Sequence, residues 1–95
     1  MYDVSVVIPN YNGIKYLEHC LEALGKQRGV AFETIIVDNC SQDGSAREAA
    51  EKFPQYAYLY LDQNYGFCRA VNEGIRRAEA PFVVLLNNDT EVEPD

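Results

Sequence analysis

Pro81-Phe-Val-Val-Leu-Leu-Asn-Asn-Asp89 is the stretch on which the fold turns. An unbroken apolar run, Phe82 to Leu86, ends abruptly in two amides and a carboxylate. Such a run suits a strand buried on both faces, the pattern of a parallel sheet. Open α/β sheets bind ligands outside the carboxyl ends of their strands. An amide and a carboxylate delivered there suit a metal ion and phosphates.

The chain upstream repeats the pattern. Val4 to Ile8 is a short run rich in β-branched residues, stopped by Pro9. Ile14 to Lys26 places Ile14, Leu17, Leu21 and Leu24 on one helical face. Gly29 marks the following turn, and Phe32 to Val37 reads as a second strand ending in Asp38 and Asn39. Ser41 to Phe53 reads as a second helix with Ala46, Ala49, Ala50 and Phe53 as its stripe, Ser41, Asp43 and Ser45 as candidate caps and Pro54 as its stop. Ala57 to Leu61 is a third strand. Asn64-Tyr-Gly66 then turns into a third helix with Phe67, Ala70, Val71, Gly74, Ile75 and Ala78 facing inward. Strands alternating with helices imply an α/β fold with a parallel sheet. Residues 1–95 read as a single unit without repeats or linkers.

The net charge of −7 argues against a nucleic-acid partner and against an anionic membrane surface. An acidic chain that binds phosphate needs a divalent cation to carry the attraction. Cys20, Cys40 and Cys68 lack C-x-x-C spacing, which disfavours a disulfide framework and a zinc site; Cys20 and Cys68 fall in helical patterns and are expected to be buried or half-buried. No signal-peptide pattern opens the sequence, and no apolar run approaches the roughly 18 residues of a membrane span, so the cytoplasm is the expected compartment.

Polar residues cluster where the first, second and fourth strands end: Asn10, Tyr11 and Asn12; Asp38 and Asn39; Asn87, Asn88 and Asp89. One such turn would be unremarkable, since Asn and Asp are turn residues; three on the same rim favour a site. The first turn, Pro9-Asn-Tyr-Asn-Gly13, lacks the G-x-G-x-x-G of dinucleotide sites, and no P-loop pattern occurs. His19 stands inside the first helix with no metal partner in view.

Four segments in register resemble the N-terminal half of a family 2 glycosyltransferase: Ser5-Val-Val-Ile-Pro-Asn-Tyr-Asn12; Ile35-Ile-Val-Asp-Asn-Cys-Ser-Gln-Asp-Gly-Ser45; Asn64-Tyr-Gly-Phe67 with Ala70-Val-Asn-Glu-Gly-Ile75; and Leu85-Leu-Asn-Asn-Asp-Thr-Glu91. Asp-Asn after the second strand and Asn-Asn-Asp-Thr after the fourth resemble the rhamnosyltransferase-type branch. The resemblance implies a three-layer α/β/α GT-A (Rossmann-like) fold with strand order 3-2-1-4, residues 1–95 being the nucleotide-diphosphosugar-binding part. It implies transfer, with inversion, of a sugar from a UDP- or dTDP-sugar donor to a saccharide or lipid-linked acceptor. Pro9, Tyr11 and Asn12 would line the nucleotide pocket, the Tyr11 ring against the base. Asp38 would accept a hydrogen bond from the N3–H of uracil or thymine. Asn64 and Gly66 would shape the turn beside ribose and phosphates, and Arg69 and Asn72 would approach the diphosphate, although Arg69 also reads as a solvated surface residue. Asn88 belongs to the same nucleotide-binding set. Asp89 would be the metal-binding member of the family's Asp-x-Asp motif, with Asn87 in place of the first Asp, holding Mg²⁺ or Mn²⁺.

The same resemblance puts the catalytic base beyond residue 95, because Glu91, Glu93 and Asp95 stand too close to the metal motif to serve. Residues 1–95 are therefore expected to bind the donor and to be inactive alone, as part of a longer enzyme that acts in the cytoplasm or at the inner face of a membrane. The fourth strand is expected to form a bare apolar edge through which the chain self-associates. The alternatives are a nucleotidyltransferase, which would want a Gly-rich, Arg-containing first loop, and a non-catalytic nucleotide-binding or receiver-like module, which would want acids where Asn10 and Asn12 stand.

Overall fold

A computed structural model describes residues 2–13, 16–27, 29 and 31–86. The order of elements is β1 (Val4–Asn10), α1 (Leu17–Leu24), β2 (Phe32–Asp38), α2 (Ser45–Lys52), β3 (Ala57–Tyr60), α3 (Phe67–Arg77) and β4 (Phe82–Leu85). The strands form one sheet in the order β3-β2-β1-β4. Every pairing is parallel. Alternation and strand order are those expected from the sequence.

Successive strand residues face opposite sides of a sheet, and the core divides accordingly. Val6 and Ile8 of β1 and Ile36 of β2 pack with Leu17, Cys20, Leu21 and Leu24 of α1 and Ala49 of α2. Val7, Ile35 and Val37 pack on the other face with Ala70 of α3. Each fully buried Leu or Ile contributes about 1.5–3 kcal/mol relative to exposure. The α1 and α2 face therefore carries more of the stability than the face under α3, whose seam is Ala70 and Gly74.

Gly74 allows α3 to sit close to the sheet. A Cβ placed on it would run into Val7 Cγ1 and reach within 3.0 Å of Val37 Cγ2. So close an approach narrows the contact, and it corrects the sequence expectation: Phe67 is 52% and Ile75 45% exposed, on the flanks of the seam rather than facing inward. The period was right, but α3 has no neighbouring helix among the described residues to cover its flanks. Cys68 is exposed for the same reason, whereas Cys20 is buried; all three cysteines are free thiols.

Among the described residues β4 forms the apolar edge expected of it, not the strand buried on both faces that its unbroken run suggested. It pairs with β1 alone among the described residues, and Phe82 is 69% exposed, with Val83, Val84 and Leu85 exposed as well. The register aligns Phe82 and Val84 with Val4 and Val6, and Val83 and Leu85 with Ser5 and Val7. Both faces of this edge strand are thus apolar and uncovered. At the opposite end of β1, buried Ser5 donates to Glu33 Oε2 and accepts from the Ala80 amide, while the Glu79 amide donates to the same carboxylate oxygen. This latch fixes the turn that feeds β4.

Helix boundaries are shorter than the apolar pattern suggested. The start expected at Ile14 lies outside the described residues; α1 is described from Leu17, and Gly25 closes it by donating to the Leu21 carbonyl. α2 begins at Ser45 rather than Ser41, after Gly44 at φ 77°. Ser41 does not cap the helix, because its hydroxyl is engaged at the end of β2. Of the candidate caps, Asp43 is the one that contributes, its Oδ1 accepting from the Ser45 amide at 2.9 Å.

Candidate functional site

The parallel register aligns the last residues of three strands: Asn10 faces Asp38, and Asp38 faces Tyr60. Three turns open above this row. Side chains rather than backbone ladders bind them to one another.

Asp38 is the centre of the row. It is 5% exposed, and burying a carboxylate is costly unless donors compensate. Asn10 Nδ2 donates to its Oδ1 at 3.0 Å, the Ser41 hydroxyl donates to the same oxygen at 2.5 Å, and the Ser41 amide donates to Oδ2 at 3.0 Å. Oδ2 accepts that single bond among the described residues and retains acceptor capacity. Asn10 is itself buried, and its Nδ2 also lies 2.9 Å from Ser45 Oγ and 3.3 Å from Ser41 Oγ.

The first turn is tied to the second. Asn12 has φ 51°, a left-handed conformation that Asn adopts more readily than most residues. Its amide donates to Ser41 Oγ at 2.8 Å, and its Oδ1 accepts from the Gln42 amide at 2.8 Å. Tyr11, between these anchors, leaves its ring 48% exposed on the rim. Pro9, half-buried one residue before the strand end, pairs with Val37.

Asn39 ties the second turn to the third. Its amide donates to the Asn10 carbonyl at 2.8 Å. Its side chain acts as a backbone would, Nδ2 donating to the Gly66 carbonyl and Oδ1 accepting from the Tyr65 amide, both at 3.2 Å. Asn64 Oδ1 closes the turn by accepting from the Gly66 amide at 2.9 Å. Gly66 has φ 91°, which demands glycine; an added Cβ would meet nothing within 4 Å, so conformation rather than space fixes the residue.

The structure thus brings Tyr11, Asn12, Asp38, Asn64 and Gly66 to one rim. It treats the two α3 residues differently. Arg69 stacks 4.7 Å above the Tyr65 ring and donates through Nε to Glu73 Oε2 at 3.0 Å, held to its own helix. Tyr65 in turn donates to Asp62, and that hydrogen bond raises the Tyr65 phenol above its usual pKa. Asn72 is exposed on α3 and makes no bond to the rim among the described residues. Asn87, Asn88 and Asp89 lie outside the described residues.

A cleft of about 590 Å³ opens on the β3 side of the row. Its walls include Asp38, Ser41, Cys40, Arg47, Tyr60 and Leu61. Of the ligand residues expected from sequence, Asp38 alone lines it; Arg47 and Tyr60 carried no signal, since they are contributed by α2 and the end of β3. Asn10 and Asn39 were visible as rim polars but not as clasps. The Asp38-to-Ser41 spacing was the one local signal for Ser41, because a side-chain oxygen that accepts from an amide a few residues on is a recurrent turn device.

Among the described residues no group of three or more His, Cys, Asp or Glu could hold a metal ion. Asp38 is the buried carboxylate of this rim, and its oxygens already serve Asn10 and Ser41. No helix among the described residues is long and apolar enough to cross a membrane.

The model of the family described as glycosyl transferase family 2 matches residues 5–95. The succinoglycan biosynthesis protein ExoO of Rhizobium meliloti (strain 1021) is 35% identical over 94 residues, which cover 98% of this chain and 27% of that protein. The crystal structure of S. aureus TarS 1-349 in complex with UDP superposes with TM-score 0.88 at 30% identity, over 97% of this chain and 29% of TarS 1-349. The mannosyltransferase PcManGT from Pyrobaculum calidifontis, in complex with GDP-Man and Mn²⁺, superposes with TM-score 0.81 at 28% identity, over 95% of this chain and 28% of its own. The chain spans less than a third of the length of each.

Proposed function

The chain belongs to glycosyl transferase family 2, and from that premise we propose that its strand-end rim binds the nucleotide of a UDP- or dTDP-sugar, as the donor-binding part of an inverting glycosyltransferase with a saccharide or lipid-linked acceptor. The observation that carries this reading is the network of Asn10, Asp38 and Ser41, which holds one carboxylate acceptor and the exposed Tyr11 ring on the same rim. An aromatic face and a hydrogen-bond acceptor are the two features a nucleobase needs.

Asp38 fits the edge of uracil or thymine. Oδ2 can accept from an imide N–H, whereas cytosine would present a lone pair at the same atom and be repelled. Guanine also offers an N–H to a carboxylate, and PcManGT, solved with GDP-Man, makes a guanine nucleotide the second reading. Gly66 lets its turn approach ribose and phosphates without a side chain in the way. Arg69 would reach a diphosphate only by leaving Glu73, and Asn72 lies further along α3.

Asp89, with Asn87 and Asn88 beside it, would hold Mg²⁺ or Mn²⁺ against the diphosphate. The metal would supply charge neutralisation for the leaving nucleoside diphosphate. The net charge of −7 makes such a cation the natural intermediary between this chain and a phosphate. Transfer also requires a base to deprotonate the acceptor hydroxyl, and residues 1–95 are expected to bind the donor without transferring its sugar.

The test is calorimetric titration of the chain with UDP, dTDP, GDP and CDP, each with and without Mn²⁺, followed by UDP-GlcNAc and dTDP-rhamnose, the latter testing the rhamnosyltransferase-type branch. Metal-dependent binding of UDP or dTDP that excludes CDP supports the reading. Equal binding of all four bases, or of none, contradicts it.

A further inference from the structure

Ser41 is not among the expected ligand residues, yet four of the rim's hydrogen bonds involve it. A hydroxyl offers one donor and two acceptor sites. Ser41 uses all three: it donates to Asp38 Oδ1 at 2.5 Å and accepts from the Asn12 amide at 2.8 Å and from Asn10 Nδ2 at 3.3 Å. Its own amide holds the second carboxylate oxygen of Asp38 at 3.0 Å. One residue thus grips both oxygens of the carboxylate and, through Asn12, the turn that carries Tyr11.

We propose that Ser41 is a positioning residue that sets the base selectivity of the donor site, by fixing the plane of the Asp38 carboxylate and the distance between that carboxylate and the Tyr11 ring. The proposal rests on the donor-site reading above. Three bonds, two to Oδ1 and one to Oδ2, hold the carboxylate plane, so the remaining acceptor position of Oδ2 keeps one direction. Without the hydroxyl, the Asn12 amide loses its acceptor and Asp38 loses one of three donors. Asp38 then keeps one donor at each oxygen, Asn10 at Oδ1 and the backbone amide of residue 41 at Oδ2, and its plane is held less tightly. A loosely held carboxylate distinguishes a base that donates from one that accepts less sharply than a tightly held one.

The experiment compares the chain with its Ser41→Ala, Ser41→Thr and Ser41→Cys variants, titrating each with UDP and CDP in Mn²⁺. Thr keeps the hydroxyl, and Cys keeps the volume while weakening donor and acceptor. Ser41→Ala is expected to weaken UDP about 3–10-fold, the effect of one lost hydrogen bond, while CDP is unchanged or improves. The UDP/CDP ratio falls by at least that factor, Ser41→Thr restores it and Ser41→Cys lies between. A variant that weakens UDP and CDP alike, leaving the ratio intact, or one that changes neither, overturns the role of Ser41. Should Ser41→Ala fail to fold, the ratio in the Thr and Cys variants decides. Wild-type chain that binds no nucleotide overturns the donor-site reading itself, whereas wild-type binding with an unmoved ratio overturns the role of Ser41 alone.

Discussion

Asn10 and Asp38 are the last paired residues of β1 and β2, and the Asn10 amide donates to the Asp38 carboxylate at 3.0 Å. The bond joins the two strand ends below the ligand rim, with Asn10 1% and Asp38 5% exposed. It makes the neutrality of Asn10 a requirement. An acid in its place would set two carboxylates together in a buried pocket and remove the donor to Ser45. Asn10→Asp is expected to lose roughly 3–5 kcal/mol at neutral pH, the scale of an uncompensated buried charge. Repulsion raises the pKa of such a pair, so the loss is full at neutral pH and is relieved as pH falls and one carboxyl protonates. Urea unfolding of the variant at pH 7.5 and pH 5 measures this; equal losses at both would refute it.

Gly74→Ala tests the close seat of α3. Helix propensity alone favours Ala by up to about 1 kcal/mol. The added methyl, however, would strike Val7 Cγ1, and overpacking costs about 1–3 kcal/mol. Net destabilisation in thermal unfolding is expected, and a stabilised variant would show that α3 can lift without penalty.

Tyr58 ties β3 to the C-terminal end of α2, its phenol donating to the Ala49 and Phe53 carbonyls at 3.0 and 2.9 Å. Burial raises its pKa, with Tyr60 and Tyr56 adding to the shift. A raised folded-state pKa means that the contribution is complete below the unfolded value of about 10 and is lost as pH rises beyond it. Tyr58→Phe is expected to cost about 0.5–1.5 kcal/mol at neutral pH through the lost phenol hydrogen bond, since both carbonyls keep a backbone donor. It should also flatten the loss of stability above pH 10, read by urea unfolding at pH 8 and pH 11; an unchanged alkaline slope would assign that loss to another group.

β4 presents Phe82 and Val84 on one face, Val83 and Leu85 on the other, and an outer edge with no paired strand among the described residues. A second copy, pairing edge to edge, would satisfy the open backbone groups of β4 and bring its apolar side chains beside those of the partner strand. Sedimentation of the chain is expected to show concentration-dependent dimers, abolished in Val84→Lys; a monomer at millimolar concentration would contradict this.

The sheet was legible because its strands announce themselves. Val4 to Ile8 and Phe32 to Val37 are apolar without alternation, and each ends in Pro or in Asp-Asn. What escaped detection depends on contacts remote in sequence. The exposure of Phe67 and Ile75 follows from how closely Gly74 lets α3 approach Val7, which no helical period encodes. Ser41 reads as a helix cap until β1 is placed beside it, 31 residues away along the chain from Asn10. Arg69 looked free to meet a diphosphate because Tyr65 and Glu73, which hold it, are unremarkable neighbours in sequence. Asp38 was readable as a strand-end carboxylate, but not as one whose oxygens are already gripped by its own fold.

The central claim is that a pyrimidine nucleoside diphosphate sits on the carboxyl-end rim of this sheet. Its most direct test is an amide-resolved NMR titration of the chain with UDP in the presence of Mg²⁺. Saturable shifts concentrated at Tyr11, Asn12, Asp38, Asn39, Ser41 and Gly66 are predicted, with the opposite rim around Ser5 and Glu33 unmoved. Shifts confined to that opposite rim, or no saturable shifts at all, would contradict it.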